Sequence, residues 1–84
     1  MTDTAASTTV IRAEDEHIDQ VRAIIRAVLS RPDLGDDDDV MDHGGTSLSV
    51  VRILAEAGRV LGADINPRDL AGSVTARSVA GAAR

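Results

Sequence analysis

Apolar residues return along this chain at the spacing of a helix, and nowhere do they alternate as in a strand. Ile18, Val21, Ile24, Ile25, Val28 and Leu29 recur at intervals of three, four and seven; at ~100° per residue they share one arc, opposite Glu16, Asp19 and Arg26. The spacing predicts a first helix over residues 14–30, with Glu14, Asp15 and Glu16 at its positive dipole end. A second run predicts a helix from Ser47 to Leu61, stopped by Gly62, a natural residue to follow a helix end. Its wheel has three sectors. Val50, Ile53, Leu54, Ala57, Val60 and Leu61 point to a core, and Ser49, Arg52, Glu56 and Arg59 form a wet face. Leu48, Val51, Ala55 and Gly58 make an apolar strip on the other flank of Ser47. Such a strip is either the margin of a wide core face or a patch on which other proteins dock.

The remaining segments are shorter and less regular. Residues 1–13 read as a flexible arm of Thr, Ser and Ala, and residues 14–84 as one folded domain. The connection over residues 31–46 is long for a helical pair, but Leu34, Val40 and Met41 are apolar enough to pin it to the core. It reads as an ordered, wrapped loop. After Gly62, Asn66 as N-cap and Pro67 at the first helical position predict a short third helix ending near Leu70. Ser73 or Thr75 then caps a last, Ala-rich helix over residues 76–83. The expectation is an all-α fold of four helices: long, long, short and medium.

Composition narrows the chemistry. The 84 residues include 21 Val, Ile and Leu but no Phe, Trp or Tyr, so the core must be aliphatic and small. Fourteen acidic residues against nine arginines, with no lysine, give a net charge of −5 that repels nucleic acid. Without cysteine there is no disulfide, thiolate metal site or catalytic thiol; a thiol-based activity would need an added group. Residues 1–9 lack a basic and apolar leader and no later stretch could span a bilayer, so the expectation is a free-standing cytoplasmic protein with no membrane partner.

Asp36-Asp37-Asp38-Asp39 invites a calcium reading. Counted as an EF-hand loop from Asp36, the sixth position is Met41 where glycine is needed and the twelfth is Ser47 where glutamate is needed, so the pattern fails. The run reads as a solvated acidic stretch serving solubility or partner choice. His17 and His43 stand in no Ser-His-Asp or Cys-His constellation, and His43 reads as a polar loop residue.

Gly44-Gly45-Thr46-Ser47-Leu48 is the stretch with the most specific chemistry. Two glycines free the backbone and leave room for something bulky, and Thr46 or Ser47 can serve as N-cap of the second helix. The loop thus delivers a serine to a helix start.

In this motif and in the order of its elements, the chain resembles the acyl and peptidyl carrier proteins, over residues 14–83. The family's Gly-x-x-Ser-Leu core stands here as Gly44-Gly45-Thr46-Ser47-Leu48, in the Gly-Gly form frequent in peptidyl carriers, after Asp38-Asp39-Val40-Met41-Asp42. Thr75-Ala76-Arg77-Ser78-Val79-Ala80 is similar to the family's last helix. The resemblance implies a four-helix carrier-protein bundle with a long loop between helices 1 and 2 and a short third helix. It implies a non-catalytic protein whose Ser47 receives 4′-phosphopantetheine from coenzyme A, by a separate phosphopantetheinyl transferase in a magnesium-dependent step. The arm would hold an aminoacyl, peptidyl or acyl group as a thioester. Its partners would be that transferase, an adenylating ligase or acyltransferase, and downstream condensing or tailoring enzymes, met as a monomer through Leu48, Val51 and Ala55. Thr46 stands where carriers often have Asp or His, and Val40-Met41 replaces a frequently aromatic pair. Ser49 and Arg52 stand where fatty-acid carriers tend to be acidic, which points to natural-product synthesis, and Gly44-Gly45 favours its nonribosomal peptide type. The alternatives are a polyketide-type acyl carrier and a small helical interaction module in which Ser47 is only a helix cap.

Overall fold

The computed structural model describes residues 13–70 and 72–83, so the predicted arm lies outside the described residues except at Ala13. Three α-helices are present: α1, Ala13–Leu29; α2, Ser47–Leu61; and α3, Ala76–Ala82. Helix α1 packs on both others. Its apolar arc contributes Ile18, Val21 and Ile25, which meet Ile53 and Ala57 of α2 and Ala76, Val79, Ala80 and Ala82 of α3. Leu34, Val40 and Leu70 from the connections complete the core. No described helix is long and apolar enough to cross a membrane.

The helix ends have local causes. Helix α1 stops at Ser30, which takes the left-handed φ of 55° while Arg31 N–H bonds back to the Arg26 carbonyl at 2.9 Å. Gly62 ends α2 in the same conformation, at φ 63°, as the sequence predicts. Helix α3 has only seven residues and depends on its cap: Thr75 Oγ1 accepts the Ser78 N–H at 2.9 Å, and Ser78 Oγ accepts the Thr75 N–H at 2.9 Å.

Three expectations are corrected. The short third helix is a 3₁₀ turn, Pro67–Leu70, so the described residues hold three α-helices rather than four. Asn66 takes up the Arg68 and Asp69 N–H groups at 3.0 and 2.9 Å as expected, but the chain turns away at Gly72, φ 85°, before an α-helix can extend. Val60, assigned to the core, is 41% exposed at the drifting edge of the α2 arc. In the long loop Leu34 and Val40 are buried, whereas Met41 points outward, 51% exposed.

The acidic run is no free solvated stretch. Asp36 Oδ1 accepts from Arg22 at 2.7 Å, Asp37 pairs with Arg77 at 2.8 Å, Asp38 accepts the Gly35 N–H at 2.7 Å, and Asp39 binds backbone on both sides. Two backbone bonds reinforce this attachment, Val40 N–H to the Val74 carbonyl at 2.8 Å and Arg77 N–H to the Asp36 carbonyl at 3.1 Å. The run therefore fastens the loop to α1 and to the start of α3.

Candidate functional site

The segment entering α2 is built from hydrogen bonds a few residues apart. Asp39 caps a 3₁₀ turn, Val40–His43, that periodicity does not reveal because one turn has no period. Its Oδ1 accepts the Met41 N–H at 2.8 Å, and its carbonyl accepts the Asp42 N–H at 3.0 Å and the His43 Nδ1–H at 2.9 Å. His43 is thus half-buried with one ring nitrogen committed to the turn.

The two glycines serve different needs. Gly44 closes the turn at φ 89°, a conformation that suits glycine, and open space lies where its side chain would be. Gly45 sits against the buried Val40 and donates its N–H to the Val40 carbonyl at 2.9 Å. A Cβ on Gly45 would lie 2.3 Å from Val40 Cγ1 and 2.7 Å from Val40 O. The room expected at Gly45 is therefore taken up by the loop itself; the open side is at Gly44.

Thr46, not Ser47, is the N-cap of α2. It is extended at φ −126°, its Oγ1 accepts the Ser49 N–H at 3.3 Å, and its own N–H donates to Ser49 Oγ at 3.2 Å. Ser47 follows as the first helical residue, exposed, and its hydroxyl has no hydrogen-bond partner among the described residues. Around it the first-turn N–H groups lack intrahelical acceptors, and that turn carries no acidic residue. The arrangement offers an accessible hydroxyl beside backbone donors and the positive end of a helix, which suits an attached phosphate ester.

The apolar strip is exposed. Leu48 is 68% and Val51 62% exposed, and Ala55 lies open on the next turn of the same flank. Of the sequence-predicted residues, Ser47, Leu48, Val51 and Ala55 therefore lie along one accessible edge of α2. Exposed Met41 precedes them in the 3₁₀ turn beside buried Val40; both residues are apolar, so the sequence does not tell which of the two faces solvent. Among the described residues no group of His, Asp or Glu is placed to hold a metal ion.

A family model described as a phosphopantetheine attachment site matches residues 19–83. No curated protein and no solved structure matches the chain.

Proposed function

The chain belongs to the phosphopantetheine-attachment family, and from that premise we propose that Ser47 is the residue to which 4′-phosphopantetheine is joined. Domains of this family are generally non-catalytic carriers; phosphopantetheinyl transferases modify them, and partner enzymes bind them. The observation that carries the assignment is the division of labour at the start of α2. Thr46 does the capping, which leaves the Ser47 hydroxyl exposed and unbonded. A helix cap that is already filled by its neighbour gives no reason for Ser47 in the interaction-module alternative.

In the transfer, Ser47 Oγ forms a bond to the pantetheine-side phosphorus of the coenzyme A pyrophosphate. The bridging P–O bond breaks, adenosine 3′,5′-bisphosphate leaves, and the serine proton passes to a base on the transferase. The first-turn N–H groups that the Thr46 cap leaves free, those of Ser47 and Leu48, would be the donors available to the phosphodiester, with no carboxylate in that turn to repel it. Once attached, the group supplies a thiol, which this cysteine-free chain lacks, to hold a cargo as a thioester. The cargo is an aminoacyl or peptidyl group loaded by an adenylating ligase and passed to condensing or tailoring enzymes of natural-product synthesis. Gly44-Gly45 and the absence of acid at Ser49 and Arg52 support this over a fatty-acid role. Leu48, Val51 and Ala55 form the docking edge for those enzymes, an apolar surface next to the loaded serine.

Intact-mass measurement after incubation with coenzyme A, magnesium and a broad-specificity transferase tests the assignment. Wild type should gain one phosphopantetheinyl group and Ser47→Ala none. A folded wild type left unmodified by several transferases, or a modified Ser47→Ala, would overturn it. Charging of the product by an adenylating ligase rather than an acyltransferase separates the peptidyl from the polyketide reading.

A further inference from the structure

The first turn of α2 is not held by the core. Its first fully buried side chain is Ile53, in the second turn, and before it only Val50 packs, half-buried, against the interior. Leu48 and Val51 stand in solvent. What orders Ser47 must therefore come from the chain before it, through the Thr46 cap and the contact of Gly45 on Val40. Val40 is held in turn by its N–H bond to the Val74 carbonyl, 34 positions away, at 2.8 Å.

Asp39 is where these restraints converge. One carboxylate oxygen accepts the Met41 N–H at 2.8 Å, and the other accepts the Val74 N–H at 3.3 Å. Its carbonyl takes the Asp42 N–H and His43 Nδ1–H, both across the same turn. The side chain thus joins the turn that enters the serine motif to the strand of backbone that enters α3. A carboxylate is suited to this task because both of its oxygens only accept. Resting on the assignment of Ser47 above, we infer that Asp39 is a positioning residue for phosphopantetheine transfer: its carboxylate clips the Val40–His43 turn to Val74, and so holds the start of α2 in the arrangement that a transferase binds.

The consequence is kinetic and has a definite form. Without the clip the first turn of α2 frays, only part of the population is ready to bind, and the apparent affinity falls by that fraction. Once bound, the ordered serine reacts as before. Asp39→Ala should therefore raise the KM for the carrier as substrate about tenfold while kcat stays near wild type. Asp39→Asn keeps one acceptor but turns an NH2 toward the other donor, so a smaller rise, a few-fold, is expected.

The experiment uses the full chain with a transferase and coenzyme A, reading kcat and KM by intact mass, together with amide hydrogen exchange by NMR. In Asp39→Ala the amides of Val40, Gly45 and Ser49 should exchange faster, while those of Val21 and Ile53 in the helix bodies keep their protection. Val21→Ala, which weakens the buried core without touching the clip, should leave KM unchanged. If Asp39→Ala proves too unstable to isolate, Asp39→Asn carries the same comparison. Wild-type KM in both Asp39 variants, or an equal rise in Val21→Ala, would overturn the positioning role alone. A wild type that accepts no phosphopantetheine overturns the Ser47 assignment and this role with it.

Discussion

At residue scale the start of α2 separates two hydroxyls that are adjacent in sequence and opposite in task. Thr46 bonds back to Ser49, whereas Ser47 bonds to nothing among the described residues. Thr46→Ala should cost about 1 kcal/mol of unfolding free energy, while Ser47→Ala should stay within about 0.5 kcal/mol of wild type, both measured by urea denaturation. The reverse order would place the cap on Ser47. The motif was readable in the chain, and so was a choice between these two caps; which one serves depends on a β-region φ that periodicity does not carry. The paired glycines were readable too, but not their separate reasons. Gly44 answers to its own backbone angle and Gly45 to the side chain of Val40, a close approach that no local pattern announces.

At the scale of elements, the long helices were legible because an amphipathic arc repeated over four turns leaves little choice of period, and Gly62 marks its own helix end. The pieces of four residues were not. Asn66 and Pro67 signal a helical start equally well for a 3₁₀ turn and for an α-helix, and the outcome was set downstream, where Gly72 bends the chain. Helix α1 ends on a non-glycine residue in the left-handed region, Ser30 at φ 55°. Ser30 is exposed, so a glycine there would lose no packing. Ser30→Gly should raise stability by about 0.5–1 kcal/mol, since the conformation is disfavoured by Cβ. A thermal melt of the two proteins checks it, and an unchanged or lower midpoint would show that the serine sits there without strain.

For the molecule as a whole, the pairing of the acidic run is not legible in the sequence because its partners are distant: Arg22 lies 14 positions from Asp36 and Arg77 lies 40 from Asp37. The Arg77 hydrogen bond holds the Asp37 carboxyl below the ordinary carboxylate range, and Arg59 does the same for Glu56. Both carboxylates are lowered in the folded state, so the unfolded chain binds protons first as the pH falls. Their contribution is complete above about pH 5 and is lost as the pH drops through about 4 and below. These are solvent-exposed pairs, so the effect should be small and weaken with salt. Melting midpoints at pH 7, 5 and 3 in low salt should hold steady and then fall, with a shallower fall in Asp37→Asn. The same layout bears on the order of events in folding. Helix α1 is the shared wall on which α2 and α3 each dock, and α3 must close a loop of more than forty residues to reach it. Short as it is, α3 buries Ala76, Val79, Ala80 and Ala82 against that wall, and the backbone leading into it, at Val74, fastens Val40 and Asp39. Whatever loosens that seating would loosen the serine loop with it, so the readiness of the carrier is tied to a segment more than thirty residues further along the chain.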